Sequence, residues 1–322
     1  MNQLITTACV NPWRNLALEE TLFEGRGEGV CLFLWQNQNT VVIGRNQNAW
    51  KECRVRELEA AGGRLARRSS GGGAVFHDLG NLNFTFIAPR AQYDLRRQLG
   101  VVTAAAKRLG IGACFTGRND IVAENGAKFS GNAFRHSQAT GMHHGTILVD
   151  VDMPKLSAYL MPSKAKLAAK GVESVRSRVC NLADFVPGLS VGAVRWALVK
   201  AFEAEYGEYQ PLDEADVDQA VLEEKERKYS GWEWRFGSSP AFDVELEARF
   251  SWGEVTLRLS LSEGRVREAC AYSDAMDEAF IRSLPAALRG ARFTPGALAA
   301  AARGLGGPEA ADLAAWLGTQ RV

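Results

Sequence analysis

Arg67-Arg68-Ser69-Ser70-Gly71-Gly72-Gly73-Ala74-Val75-Phe76-His77-Asp78 is the stretch on which the reading of this chain turns. Three consecutive glycines let the backbone reach positive φ and keep side chains out of the way. Successive N–H groups can then point into one concavity, a nest for an anion. Arg67 and Arg68 put two forked cations at its edge, and Ser69 and Ser70 add hydroxyl donors. No Gly-Lys-Ser/Thr follows, so this is not a Walker loop, and the glycines lack Rossmann spacing. A flexible surface turn is the plain alternative for three glycines alone. The flanking arginines and the apolar run after the loop weigh against it.

Outward from the loop, Arg64–Arg68 and Ala74–His77 are strand-like, and Asn83–Ile87 alternates as a strand does. Asn11-Pro12 opens a helix, with Trp13, Leu16, Leu18 and Leu22 on its apolar side. Val30–Trp35 and Thr40–Ile43 are short, β-branched and aromatic, and the Gln-Asn-Gln-Asn between them reads as the turn of a hairpin. Helices are expected over Trp50–Ala61, Asp94–Leu109 and the segment capped by Ser190. Asp218–Lys228 is charged enough to be a solvated helix or a linker. Near the end, Phe242–Phe250, Glu254–Ser260 and Arg265–Tyr272 read as a three-strand meander, followed by two or three Ala/Leu-rich helices. Strands and helices do not alternate regularly. The expected class is therefore α+β, a mixed or antiparallel sheet with packed helices, rather than a doubly wound sheet. Turn-rich Gly237-Ser238-Ser239-Pro240 suggests a boundary, giving domains 1–243 and 244–322, the second small and α+β.

A chain of 322 residues suits a main domain plus a smaller one. Hydrophobic residues at 46% and charged residues at 23% are those of a globular protein, not a disordered or fibrous one. A net charge of +1 gives no overall field for nucleic acid or membrane. No uncharged apolar stretch is long enough to span a bilayer, and Met1–Val10 does not read as a secretory signal. The six cysteines are scattered singly, which suits a reducing cytoplasm and argues against a structural zinc site.

A second polar segment, Gly117-Arg118-Asn119-Asp120-Ile121, leads into Lys128-Phe129-Ser130-Gly131-Asn132. Lys128 lies on alternating sequence and can point into a cleft, where an ammonium stabilises charge at a phosphorus or acyl oxygen. A solvated lysine is the plain alternative. Asp120 is a candidate Mg²⁺ ligand or a loop-structuring residue. Adjacent His143 and His144 on a strand face opposite sides, so at most one meets a cleft. Lys164, Lys166, Lys170, Arg176 and Arg178 form a basic run, read either as a solvated helix face or as a patch for an acidic partner or a triphosphate.

These blocks together carry a resemblance. Arg67–Asn81, Gly117–Ile121, Lys128–Asn132 and His143–Thr146 resemble, in order, four blocks of the bacterial lipoate–protein ligase A family, within the biotin/lipoate ligase superfamily. Lys166–Val172, Ser174–Val179, Asn11-Pro-Trp, Asn15–Glu20 and Gly231–Gly237 add to it, so that the resemblance covers nearly the whole chain. It implies a catalytic domain like that of biotin ligases and a small C-terminal domain that reorients between two steps. Lipoate would attack ATP, with Mg²⁺, to give lipoyl-AMP. A lysine of an acceptor domain, from a 2-oxoacid dehydrogenase complex or the glycine cleavage H protein, would then take the lipoyl group.

Position by position, the resemblance makes Lys128 the catalytic lysine. It assigns Arg68, Gly73, Ala74, Val75 and Phe76, with Lys128 and Asp120, to ATP or adenylate. It assigns Trp35, Ser70, His77, Arg135 and Glu20, again with Lys128, to lipoate, and Asp120 to Mg²⁺. An octanoyl or lipoyl transferase of the same fold pairs the lysine with a cysteine. Where one branch places that cysteine, this chain has Pro162-Ser163, and the next cysteine is Cys180. A biotin ligase has a different glycine-and-arginine loop. A non-catalytic lipoate- or nucleotide-binding module is the remaining alternative.

Overall fold

The computed structural model describes residues 1–116, 120–161, 179–236, 244–262 and 264–320. Gly117-Arg118-Asn119, Pro162-Ser163, the basic run Lys164–Arg178 and the turn-rich 237–240 lie outside the described residues.

The strands are β1 (Asn2–Thr6), β2 (Cys31–Trp35), β3 (Thr40–Ile43), β4 (Arg64–Arg67), β5 (Val75–His77), β6 (Asn81–Pro89), β7 (Ala113–Thr116), β8 (Asp120–Ala123), β9 (Lys128–His136), β10 (Thr140–Leu148), β11 (Tyr209–Leu212), β12 (Val244–Phe250), β13 (Gly253–Ser262) and β14 (Arg265–Ser273). The longer helices are α1 (Pro12–Glu24), α2 (Leu95–Arg108), α3 (Val191–Tyr206), α4 (Gln219–Ser230), α5 (Glu278–Leu288), α6 (Pro295–Arg303) and α7 (Gly307–Leu317). Eight strands form one mixed sheet in the order β11-β1-β2-β6-β10-β9-β8-β7. Only β11, β1 and β2 run parallel to one another. A second sheet, β4-β3-β5, pairs β3 parallel to β4 and antiparallel to β5. The expected α+β class with a mixed sheet is the one observed.

Local chemistry sets the helix starts. Asn11, Asp94, Ser190 and Asp218 each cap a helix with a side-chain oxygen that accepts from a first-turn N–H. α2 and α3 cover one face of the large sheet over Leu32, Leu34, Phe84 and Phe86. α1 and α4 cover the other over Cys31, Phe33, Trp35 and Met142. Asp218–Lys228 thus belongs to a packed helix rather than a linker, with Leu222 and Tyr229 buried. Trp50–Ala61 divides into two short helices, Ala49–Glu52 and Val55–Ala60.

One expectation fails: β2 and β3 are not a hairpin. β2 pairs with β1 and β6, and β3 with β4 and β5, in different sheets. Every residue of both strands is buried, so each has apolar cover on both faces, which a two-stranded ribbon cannot supply. The connection is also pinned elsewhere, since the Gln38 N–H donates to Val10 O.

β12, β13 and β14 form the expected meander. Their apolar faces share a core with α5, α6 and α7, including Leu257, Leu284, Leu298 and Leu313.

β10 sorts its two histidines to opposite sides. His143 lies among Phe84, Phe86 and Phe134, with Nε2 donating to Oδ1 of Asn132 at 2.8 Å. Burial first, and then His144, push the His143 pKa down to about 3. The unfolded chain takes up that proton near the ordinary value of about 6.5. It therefore holds more protons than the folded chain between these limits, and stability falls as pH drops through the window. Replacing His143→Phe should reduce the acid-side slope by one proton, about 1.4 kcal/mol per pH unit. Urea unfolding between pH 4 and 6 measures this, and an unchanged slope would contradict a buried neutral His143.

Candidate functional site

The glycine loop joins β4 to β5, which flank β3 on opposite sides, so it must cross the end of β3. The crossing is tight. A Cβ on Gly44 would lie 2.0 Å from the Gly72 carbonyl oxygen, so only glycine fits there. Of the three loop glycines, Gly72 alone has positive φ, at 92°.

The arginines do not project as expected. Arg67 hands its donors to the carbonyls of Trp234, Arg235, Gly44, Arg45 and Gln47. Arg68 donates to Gly71 O (2.6 Å), Gly73 O (2.9 Å), Val42 O (3.3 Å) and Ser70 Oγ (3.1 Å). Burial pulls both guanidinium pKa values down to about 10. They organise the loop from behind, and the Gly72 N–H points at Ala275 O (2.9 Å) in the C-terminal part. Gly71 and Gly72 are small because Ala275 and Met276 pack on them.

Ser70 is likewise turned inward. Its Oγ lies 2.6 Å from Nε2 of His144, and Nδ1 of His144 is 2.7 Å from Oε1 of Glu19. Thr85 donates to the same carboxylate oxygen, and Nε1 of Trp35 donates to Thr85. The order Glu19–His144–Ser70 is that of a nucleophile relay. Ser70, however, is fully buried and accepts from Arg68, which draws electron density from its oxygen. The chain therefore positions the loop. Glu19 and Thr85 were not singled out in the sequence. The signal for Glu19 is a polar pair, Asn15 and Glu19, spaced i, i+4 on a helix whose apolar residues include Leu16, Leu18 and Leu22. Nothing marks Thr85.

Lys128 begins β9 and reaches across to β8, where Nζ meets Oδ1 of Asp120 at 2.6 Å. Its stem lies over Gly131: a Cβ there would be 2.8 Å from Nζ. Gly145, on the neighbouring strand, is held between Phe84, Asn132 and Gly131. Together the two glycines leave flat backbone beside the lysine.

A cavity of about 700 Å³ joins these parts. Leu16, Trp35, Val42, Val75 and Ala133 give it apolar wall, and Arg68, Asp120, Lys128 and His144 give it polar wall. Gly73, Ala74, Val75 and His77 also line it. The C-terminal part contributes Arg249, Phe250, Ser251 and Asp274, with Arg249 paired to Asp274 at 3.0 Å. No short-range sequence pattern identifies these four.

Other expected site residues lie outside this lining. Phe76 is buried in the core of the small sheet against Tyr159. Ser70 stands behind the wall. Arg135 and Glu20 pair with each other at 3.0 Å, with Lys228 2.7 Å from Glu20 and the Arg135 guanidinium over Phe23. Burial would raise the Glu20 pKa, but Lys228, Arg135 and Lys225 bring it below the ordinary value.

Comparison with known proteins agrees with this architecture. The family model for the lipoyl protein ligase A/B catalytic domain matches residues 11–203, and that for the bacterial lipoate protein ligase C-terminus matches 239–316. LipL1 of P. falciparum, solved in complex with lipoate, is 25% identical at a TM-score of 0.88, over 99% of this chain and 100% of that one. The bipartite lipoate protein ligase of Thermoplasma acidophilum, studied with its E2 lipoyl domain, is 30% identical at a TM-score of 0.66, over 76% and 98%. A lipoate-protein ligase A bound with ATP is 28% identical at a TM-score of 0.64, over 73% and 98%. With its catalytic-domain match spanning more than half its length, the chain belongs to the lipoyl protein ligase A/B family.

Proposed function

We propose that the protein is an ATP-dependent lipoate–protein ligase. The observation that carries this reading is Lys128 in the wall of one cavity that is apolar on some sides and charged on others. Such a cavity suits an acyl-adenylate, which is apolar at one end and anionic in the middle. The lipoate and the ATP bound by two of the relatives support it.

In the first step the lipoate carboxylate attacks the α-phosphorus of ATP, forming lipoyl-AMP and releasing pyrophosphate. In the second, the ε-amine of an acceptor lysine attacks the mixed anhydride, forming an amide and releasing AMP. Both nucleophiles are substrates, so no protein nucleophile is required. Lys128 serves as the cation between acyl and phosphate oxygens, where fixed charge in a dry site lowers the barrier most. Trp35 and His77 border the acyl chain, and Gly73, Ala74 and Val75 hold the nucleotide. Arg68 adds a cation to that wall, Ser70 and Phe76 shape the surface from behind, and Arg135 with Glu20 supports the sheet beside it. Asp120, which pairs with Lys128 here, would offer its carboxylate to Mg²⁺, an ion that takes one or two carboxylates beside phosphate oxygens.

In this reading residues 1–243 are the adenylation and transfer domain and 244–322 an accessory domain. The acceptors are lipoyl domains of 2-oxoacid dehydrogenase complexes or the glycine cleavage H protein. The E2 lipoyl domain of the archaeal relative favours the former. Among the described residues no helix is long and apolar enough to cross a membrane. A cytoplasmic setting fits the use of ATP.

The transferase alternative turns on a cysteine. Cys180 does lie beside the lysine, its N–H donating to Lys128 O. Its thiol instead faces inward, 3.5 Å from Ala127 O, and burial pushes it up to about 11. A thiol held protonated is a poor nucleophile.

Mass spectrometry of an apo lipoyl domain incubated with the protein, ATP, Mg²⁺ and lipoate should show one lipoyl addition, absent without ATP. Lys128→Ala should keep its stability within about 1 kcal/mol, since the ion pair it loses is partly exposed. It should lose lipoate-dependent ATP–pyrophosphate exchange by about 10²–10³-fold. Near-normal exchange would remove Lys128 from the mechanism. A folded variant lacking all six cysteines should keep its ligase activity, and loss would favour the transferase.

A further inference from the structure

The His77 ring is 3% exposed, lines the cavity and stands edge-on to Trp35. Its Nε2 is buried without a partner. Its Nδ1 lies 3.1 Å from Nδ2 of Asn37, a fully buried residue in the β2–β3 connection.

The protonation of this ring follows from its neighbours. Nδ2 of Asn15 is surrounded by three oxygens, Cys9 O, Gln36 O and Oδ1 of Asn37. Two of them, Cys9 O and Gln36 O, are backbone carbonyls that can only accept, so the Asn15 amide turns its NH₂ toward them. The Asn37 atom beside it must then be oxygen, which leaves the Asn37 NH₂ facing His77. Nδ1 of His77 has to accept, so the ring proton is on Nε2.

We propose that Asn37 is a positioning residue, which with Asn15 holds His77 as a neutral Nε2–H donor aimed at a carboxyl oxygen of the acyl substrate. This rests on the ligase reading for the identity of that substrate. The neighbours of His77 here are apolar, Trp35 and Val75 among them, and suit a hydrocarbon chain. The strong acceptors on a fatty or lipoic acid are its carboxyl oxygens, whereas sulfur is a weak one. Burial, more than nearby charge, keeps the ring neutral. Burial, then Arg68 from the glycine loop and His144 from β10, press its pKa to about 3, and Glu19 on α1 stands behind His144. His77 is therefore a donor across the working pH range, never a base or a cation.

The tautomer is read on the free protein by long-range ¹⁵N–¹H spectra of the imidazoles, assigned with His77→Gln. The expected result is the Nε2–H form, unchanged down to pH 5. An Nδ1–H form, or protonation near the ordinary histidine value, overturns the proposal without touching the ligase reading. Asn37→Asp replaces the donor on Nδ1 by an acceptor and should invert the tautomer or charge the ring. The KM for the acid should rise by about tenfold or more, the worth of one hydrogen bond to a charged group, and activity should gain a new titration between pH 5 and 8. Asn37→Leu should raise KM without that titration. His77→Gln keeps an N–H donor and should stay closer to wild type than His77→Phe. Each effect should be equal for octanoate and lipoate, which share the carboxyl end and the carbon chain and differ only at the dithiolane. An effect confined to lipoate would place the donor at the dithiolane and refute the carboxyl assignment. Absence of lipoate binding in the folded wild type would instead refute the ligase reading.

Discussion

A buried guanidinium holds the site together. Arg68 carries its charge into the protein interior, and four oxygens from two segments meet it: one on β3, three on its own loop. Burying a charge is costly unless it is fully hydrogen-bonded, so the loop has little freedom to adopt another shape. The field of Glu19 eases that cost. It arrives through His144 and Ser70, so α1 and β10 are tied to the same point. The crossing at Gly44, the single positive φ at Gly72 and the position of β5 follow from this arrangement.

That arrangement explains which parts of the sequence could be read. Helix caps and apolar periodicity are local, and α1, α2, α3 and the β12–β14 meander lie where the pattern places them. The glycine loop was legible as special, but its arginines were read as anion ligands. In the fold they satisfy carbonyls. A forked cation suits either partner, and only the third dimension says which is nearer. The β2–β3 hairpin failed for a related reason. A short polar connection specifies a turn but not whether the strands on either side share a sheet. Asp120 and Lys128 stood close in sequence and meet in space. Glu19 meets His144 across 125 positions, a pairing without local trace.

The cavity has a similar division. Its backbone wall comes from Gly73 to Val75, its lysine from β9 and its apolar side from α1, β2 and β3. The C-terminal part closes it with residues from the β12–β13 turn and the end of β14. Expected contacts such as Arg135, Glu20 and Phe76 stand one layer back. A sequence motif marks residues that are needed together. It does not separate those that touch a ligand from those that hold the residues that do.

Gly131 has an effect on entropy. A lysine in solution samples many rotamers, and fixing them costs up to about 2 kcal/mol. Here the bare strand at Gly131 gives the four-carbon stem a bed, and Asp120 anchors its end. The ordering is done once, when the chain folds, and not again each time an anion arrives. What remains at binding is an exchange of one oxygen partner for another, with the cation already in place.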